Sequence, residues 1–149
     1  MGTRRKAREF ALQILYQIDL TSTEADAALD LFCKHFEAGK KSMPYARRLV
    51  QGVAGRRQEI DAMIASHAVN WRPERMSIID RNILRLALYE LCFLDEVPAR
   101  VVINEAIEVA KRFGNEESGP FINGILDAIR KTTSEKKVLP GEQESTAAE

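Results

Sequence analysis

The sequence predicts an all-α fold. Hydrophobic residues recur every three or four positions through most of the chain, which is the period of a helix with one buried face. No stretch alternates apolar and polar residues between turn signals, as a half-buried strand would. The composition, 45% hydrophobic and 30% charged over 149 residues, is typical of a soluble globular domain. We expect one helical domain over 1–131, with six main helices in two packed sub-bundles and room for a short seventh turn near Pro73–Met76.

The first half of the chain divides into three predicted helices. The first spans 4–20 and follows Thr3, a suitable N-cap residue. The second spans 24–38. The third starts after Ser42, and its apolar stripe continues without interruption to about Asn70.

The second half of the chain contributes three more helices. The pattern breaks at 71–75, which is expected to separate the two sub-bundles. Residues 76–94 are apolar around most of the helix, which predicts the buried centre of a bundle. Further helices are predicted over 99–113 and 118–131. The final segment, 132–149, has few apolar residues and is predicted to be a disordered tail.

Composition disfavours several classes of protein. No apolar run approaches the ~20 residues that a membrane span needs, and no long apolar core follows the basic N-terminus as in a signal peptide. Cys33 and Cys92 lie far apart in sequence, which fits a reducing cytosol better than a disulfide framework. His35 and His67 have no acid or cysteine at ligand spacing. We therefore expect a cytoplasmic protein without a metal or cofactor.

The sequence offers little support for an enzyme. The segment QGVAG, with Gly52 and Gly55, lacks the glycine spacing and the Lys-Ser/Thr ending of a phosphate-binding loop. It also lies inside a helical pattern, where small residues favour close packing of two helices. No pattern pairs carboxylates in a predicted pocket. A hydrolase or transferase would need an unrecognised site, so we expect no catalytic residues.

Basic residues are concentrated in the first part of the chain. Residues 1–58 hold eleven Lys and Arg against six Asp and Glu, whereas the remainder holds eleven against sixteen. The first helix begins with four bases and no acid: Arg4, Arg5, Lys6 and Arg8. Such a helix end can neutralise several phosphates, although its charges oppose the helix dipole. A solvated or frayed helix start is the alternative.

A second basic block runs from Gly39 to Gln58 and contains six Lys and Arg but no acid. It fits either a nucleic-acid surface or a solvated helix face, and the sequence favours neither. Binding of single-stranded RNA would also need aromatic side chains on which bases can stack. Tyr16, Phe113 and Phe121 lie near predicted helix ends, but core packing is the commoner role for each.

Four segments carry a more specific signal. They are RRKAREFALQILYQID near the start, IDRNILRLALYEL in the middle, VPARVVINEAIEVAKRFG after it, and FINGILD near the end. In this order and spacing they resemble the NusB family of bacterial transcription antitermination and termination factors. The similarity covers roughly 4–131, and INEAIEVAKRFG followed by FINGILD is its most specific part.

The resemblance implies an all-α fold of two packed sub-bundles without catalytic activity. NusB-like proteins bind boxA, a single-stranded, U-rich element of nascent ribosomal RNA leaders. They bind it together with NusE, a small-subunit ribosomal protein. With NusA and NusG, the pair makes RNA polymerase resistant to termination. The resemblance leaves a homodimer open, in which pairing of two copies could cover the RNA surface.

The resemblance also assigns roles to individual residues. The arginine-rich start of the family falls on the four bases of the first helix, which are expected to hold the RNA backbone: Arg4, Arg5, Lys6 and Arg8. The aromatic residue of FINGILD falls on Phe121, near Asn123, and Phe113 in the adjacent turn is a further RNA candidate. Tyr16 and Asp80 are expected on the NusE side, since an acid there suits a basic ribosomal protein.

The INEA segment contains two polar residues with an expected structural role. Asn104 and Glu105 are expected to form hydrogen bonds to backbone or side chains where the sub-bundles meet.

Two other functions are considered for this sequence. A helical protein-interaction module is the first, and it would lack the preference for boxA over a scrambled RNA. The same fold forms the N-terminal domain of ribosomal RNA cytosine methyltransferases, but the sequence shows neither a glycine-rich turn for a methyl donor nor a catalytic cysteine motif.

Overall fold

The computed structural model describes residues 2–35, 40–68 and 76–138. Within those ranges the chain forms seven α-helices and no strand, so the all-α prediction is confirmed. The helices are α1 (Thr3–Thr21), α2 (Ala25–His35), α3 (Met43–Gly55), α4 (Arg57–His67), α5 (Ile78–Phe93), α6 (Ala99–Phe113) and α7 (Ser118–Val138). None of the helices in the described ranges is long and apolar enough to cross a membrane.

Helix α5 forms the centre of the molecule. It packs against α1, α3, α4, α6 and α7, and its residues Leu84 and Leu88 are fully buried. Burial of one such side chain contributes about 1.5–3 kcal/mol before entropy is counted. This placement agrees with the apolar circumference from which the sequence predicts a buried central helix.

The third predicted helix is two helices in the structure. Helix α3 ends at Gly55 and α4 begins two positions later, because Arg56 leaves helical geometry with φ −123° and ψ 23°. The prediction of one helix to about Asn70 is therefore wrong. Val53 and Ile60 are both buried, so the apolar stripe continues across the break. The period of apolar residues therefore gives no sign that one helix ends and another begins there.

Other boundaries also differ from the predictions. Helix α1 already includes Thr3, which was expected to cap it. Helix α7 continues beyond Lys131 to Val138, and so enters the segment predicted to be a tail. The rest of that segment, 139–149, lies outside the described residues, as do the predicted break at 71–75 and most of the short turn expected beside it.

A buried ion-pair cluster joins three of the helices. Asp19 of α1 accepts hydrogen bonds from Asn82 at 2.8 Å and Arg85 at 3.0 Å, and Arg57 lies 3.2 Å from its other oxygen. Arg85 also donates to both oxygens of Asp61 on α4, at 2.8 and 2.9 Å. Burial would raise the pKa of Asp19, but the hydrogen bond from Asn82 and the neighbouring arginines hold it below its ordinary value. The cluster fixes α1 and α4 on α5.

Candidate nucleic-acid interface

The four bases at the start of α1 lie in different environments. Arg4 and Lys6 are exposed, Arg5 is partly exposed, and Arg8 is buried. Because successive residues of a helix are 100° apart, a run of four bases cannot share one face. The run therefore contains both side chains that face solvent and a side chain that is buried in the protein.

Arg8 forms a buried ion pair with α5. Its Nε and Nη2 donate to the two oxygens of Glu90 at 2.7 and 2.8 Å, and its side chain is 7% exposed. The Tyr45 hydroxyl donates to the same carboxylate at 2.6 Å. Burial would lower the pKa of Arg8, but the bonds to Glu90 raise it above its ordinary value. In this structure the Arg8 guanidinium is buried and paired, so it packs α1 on α5, and the RNA contact expected from the sequence stays a prediction.

Arg5 connects α1 to α6. Its Nε and Nη2 donate to the carboxylate oxygens of Glu105 at 2.8 and 2.6 Å. The hydrogen bond from Arg5 lowers the pKa of Glu105, which keeps the pair charged at neutral pH. Glu105 thus connects helices, in keeping with the architectural role expected for it, whereas Asn104 is exposed. About a third of the Arg5 side chain still contacts solvent.

Arg4 and Lys6 present their charges to solvent. The Arg4 guanidinium lies 3.3 Å from Glu96 and 5.0 Å from the centroid of the Tyr45 ring. The Lys6 ammonium lies 5.9 Å from the centroid of the Phe10 ring. Cations held over rings in this way are positioned without being buried. These two residues are the bases of α1 best placed to meet a phosphate.

The end of α6 lies beside α1. Arg112 donates to both oxygens of Glu9, at 2.9 and 3.0 Å, and its guanidinium lies 5.3 Å from the centroid of the Phe113 ring. Since Arg5 pairs with Glu105 and Glu9 pairs with Arg112, two ion pairs one turn apart on α1 connect it to α6. The basic start of α1 and the candidate Phe113 therefore belong to neighbouring elements. Sequence reasoning missed Arg112, although its position next to Phe113 in the last turn of α6 was a usable signal.

The turn between α6 and α7 is fixed by short-range hydrogen bonds. The Ser118 Oγ accepts from the backbone N–H of Asn115 at 3.0 Å, and the Asn115 Oδ1 accepts from the N–H of Glu117 at 2.9 Å. A Cβ on Gly114 would overlap the Ser118 Oγ, so the turn can close this tightly only with glycine. The turn sets the direction in which α7 leaves.

Two clefts flank this turn. One, of about 620 Å³, is lined by Phe121 and by the start of α5, including Asp80. The other, of about 650 Å³, is lined by Asn123 and by Lys111 of α6. Asn115, Glu116 and Pro120 line both. The structure thus brings the RNA candidate Phe121 together with the partner candidate Asp80, and places Asn123 in the adjoining cleft.

The candidate partner residues lie on α1 and in the first turn of α5. Tyr16 is 38% exposed, and Leu20, one turn later on the same face, is 55% exposed. Ser77 caps α5 by accepting from the N–H of Asp80 at 3.0 Å, and an acid in that first turn suits the helix dipole. Within the described part of the chain, the buried Asp80 Oδ1 has no hydrogen-bond partner. Sequence reasoning missed Leu20, because a leucine on an amphipathic helix normally belongs to the core.

The described side chains do not form a metal centre. Among them, no group of three or more His, Cys, Asp and Glu residues is arranged to hold a metal ion.

The sequence matches one family model and many known relatives. The model of the NusB family matches residues 5–131. The transcription antitermination protein NusB of Desulfatibacillum aliphaticivorans is 51% identical over 129 residues, covering 87% of this chain and 90% of that protein. The corresponding protein of Syntrophus aciditrophicus is 42% identical over 149 residues, covering 97% and 92%.

Solved structures show the same fold. NusB of T. maritima superposes with a TM-score of 0.77 at 39% identity, covering 86% of this chain and 90% of that one. A chain from the crystal structure of the antitermination factors NusB and NusE in complex with dsRNA gives a TM-score of 0.80 at 30% identity, covering 89% and 98%. Both likenesses extend over most of the helical domain.

Proposed function

Because the chain belongs to the NusB family, we propose that it is a transcription antitermination factor that binds single-stranded boxA RNA together with NusE. The observation that carries RNA binding with NusE is the likeness, over 89% of the chain, to a structure of NusB and NusE in complex with dsRNA. The mechanism is assembly and not catalysis. The pair would join NusA and NusG at RNA polymerase and oppose termination.

The proposed RNA surface begins at the exposed bases of α1. Arg4 and Lys6 supply charge for the phosphates, and Arg5 lies between them with its guanidinium oriented by Glu105. Contacts of this kind hold the strand in register but carry no sequence information. They account for affinity and for its dependence on salt.

Base recognition is assigned to the region around the α6–α7 turn. Phe121 and Phe113 are each half-buried, so that one part of the ring packs in the protein and the other part meets solvent. Such rings can stack with unstacked bases, and the exposed amide of Asn123 can bond a base edge. The ion pair between Glu9 and Arg112 keeps this region next to the bases of α1.

The NusE surface is assigned to the junction of α1 and α5. Tyr16 and Leu20 offer exposed apolar area, and Asp80 supplies an acid for a basic ribosomal protein. Asp80 also lines the cleft that contains Phe121, so the two proposed surfaces adjoin. NusE bound there would change the affinity for RNA, and by linkage RNA would change the affinity for NusE by the same factor.

Fluorescence anisotropy of labelled RNA tests the proposal. The protein is titrated into boxA RNA, a scrambled RNA of equal length and a duplex of boxA, each with and without NusE at near-physiological salt. We expect preferential binding of single-stranded boxA and a lower Kd in the presence of NusE. Equal binding of boxA and the scrambled RNA with NusE present would refute RNA recognition and favour a protein-interaction module.

A second measurement tests whether the protein forms a homodimer. A homodimer that covered the RNA surface would release monomer when boxA and NusE bind. Sedimentation velocity with and without the two ligands measures this directly. A monomer under both conditions would remove the homodimer from the proposal without affecting the rest.

A further inference from the structure

Two arginines of the second basic block, Arg48 and Arg56, lie over aromatic rings of α3 and α5. Four residues define what we call the α3 surface: Tyr45, Arg48, Arg56 and Phe93. Each arginine covers an aromatic ring, with Arg48 at 5.5 Å from the Tyr45 centroid and Arg56 at 4.5 Å from the Phe93 centroid. None of the four has a role in the function proposed above.

Helical spacing places these groups in a row. Positions 45, 48 and 52 of α3 recur every three or four residues and so share a face, and Arg56 follows directly after the last residue of the helix. At Gly52 a Cβ would overlap the Tyr89 ring, so the absence of a side chain admits that ring against α3. Tyr89 in turn stacks on Phe93, with ring centroids 6.0 Å apart. The two arginines thus lie over different rings of one aromatic group, Arg48 over Tyr45 and Arg56 over Phe93.

The charge of this surface is weakly compensated. Arg48 pairs with Glu96 and Arg56 pairs with Glu59, but the arginine side chains are 46% and 49% exposed. Exposed ion pairs stabilise a fold very little, so a phosphate can replace either carboxylate at small cost. Lys40 and Lys41, in the turn before α3, are also exposed and have no ion pair within the described part of the chain.

The α3 surface is continuous with the basic start of α1. The Tyr45 ring lies between two guanidinium groups, Arg4 of α1 at 5.0 Å and Arg48 of α3 at 5.5 Å. Glu96 accepts hydrogen bonds from both arginines, at 3.3 Å from Arg4 and 3.2 Å from Arg48. Arg4 therefore belongs to both surfaces, because it shares Tyr45 and Glu96 with Arg48.

We propose that the α3 surface binds single-stranded RNA that continues beyond boxA, so that one strand passes Arg4 and follows α3 to Arg56. Arginines contact its phosphates, and their planar groups, already stacked on rings, offer a further face to an unstacked base. This inference rests on the proposed function. Continuity with the boxA surface favours RNA over an acidic protein as the ligand, because an independent protein site would not need to share Arg4.

The test compares RNAs of two lengths. A short boxA RNA and the same RNA extended at either end by unstructured nucleotides are titrated with the wild-type protein and with the double variant Arg48→Gln/Arg56→Gln. The matched control is Arg130→Gln/Lys131→Gln, which removes the same charge from exposed positions on α7. Far-UV circular dichroism and the Tm verify that each variant is folded.

The wild type and the control are expected to bind an extended RNA more tightly than the short one. The α3 double variant should lose about tenfold in affinity for that extended RNA and little for the short one. The slope of log Kd against log salt should fall by about 0.7 for each phosphate that the variant no longer neutralises. Arg48→Lys/Arg56→Lys should restore that slope, because it keeps the charge, but only part of the affinity, because it loses the planar groups.

Two results would overturn the inference. One is equal binding of the short and extended RNAs by the wild type. The other is an extended-RNA affinity in the α3 double variant that matches the control. Failure of the proposed function would look different, since the short boxA RNA would then bind no better than its scrambled counterpart in every variant.

Discussion

Arg8 shows at the residue scale that the bases of one run can lie in different environments. The sequence places it one turn after Arg4, and only the fold reveals that it meets Glu90, 82 positions away. The same holds for Arg5 and Glu105, which are 100 positions apart. Residue type and helical phase could predict that the start of α1 is basic and partly exposed. They could not predict which of these cations forms an ion pair with an acid that is distant in sequence.

Replacing Arg8 is expected to damage the fold. Arg8→Ala leaves the Glu90 carboxylate buried with one partner fewer, and loss of a partner from a buried pair costs about 3–5 kcal/mol. Urea denaturation followed by circular dichroism measures the change in the free energy of unfolding. Lys6→Ala, at an exposed position of the same helix, is the control and should change that free energy by about 0.5 kcal/mol or less. Equal effects of the two substitutions would show that the buried pair does not hold α1.

Glu96 offers a residue-scale test with the opposite sign. It accepts hydrogen bonds from Arg4 and Arg48, so Glu96→Gln removes the carboxylate that competes with phosphate for both. Affinity for an extended boxA RNA should rise by about threefold, most clearly at low salt. Asp127→Asn, which breaks an exposed pair with Lys131, is the control and should have no effect on RNA binding. Weaker RNA binding by Glu96→Gln would show that the carboxylate positions the arginines instead of masking them.

At the scale of elements, periodicity predicts a helix better than its ends. Helix α5 is apolar around its circumference and so had to lie at the centre. The break at Arg56 went undetected because α3 and α4 bury the same side of the chain and their stripes join in phase. The clefts beside the α6–α7 turn depend on how two helices meet, which no local pattern specifies. Asn123 was predicted only through the family resemblance, whereas Phe121 was already a candidate as an aromatic residue near a predicted helix end.

The α6–α7 turn should be sensitive to a single methyl group. A Cβ at Gly114 would overlap the Ser118 Oγ, so Gly114→Ala must displace the side chain that fixes the turn. We expect a loss of stability of about 1–3 kcal/mol and weaker boxA binding, because Phe121 and Asn123 follow the turn. At Gly119 the added Cβ would meet its nearest neighbour at 3.8 Å, which makes Gly119→Ala the control. Thermal unfolding and RNA titration of the two variants should separate them, and identical behaviour would contradict the role given to the turn.

The Asp19 cluster makes stability depend on pH. Its bonds to Asn82 and the arginines lower the pKa of Asp19 in the folded protein, and those of Glu96 and Glu105 are lowered by Arg48 and Arg5. A lowered carboxyl pKa stabilises the fold above the unfolded pKa, about 4, and this contribution is lost as pH falls through the folded value. The Tm should therefore be steady from neutral pH to about 5 and fall steeply below about 4.

Asp19→Asn identifies the contribution of that cluster. The variant should have a lower Tm at pH 7, because Arg57, Arg81 and Arg85 lose their shared anion. Its Tm should also decline less on acidification than that of the wild type. Differential scanning calorimetry across the acidic range gives both curves, and parallel curves would mean that Asp19 does not carry the effect.

At the scale of the whole molecule, the fold brings together charged residues that are distant in sequence. Arg4 of α1 and Arg48 of α3 meet at Glu96 and the Tyr45 ring, whereas Asp80 and the acids of the α6–α7 turn line one cleft. The charge imbalance between the two parts of the sequence does not specify where these charges lie on the fold. The tail expectation for 139–149 stays a prediction, as does the assignment of the folded domain to 1–131.

The affinity of the protein–NusE pair for boxA, measured by anisotropy for the wild type and for Arg4→Gln/Lys6→Gln, is the most direct test of the proposed RNA surface. Both residues are exposed, so the variant should keep its Tm while its boxA affinity falls by more than about tenfold and its salt dependence decreases. Arg130→Gln/Lys131→Gln should bind like the wild type. An unchanged boxA affinity in Arg4→Gln/Lys6→Gln would contradict the claim that the start of α1 holds the RNA.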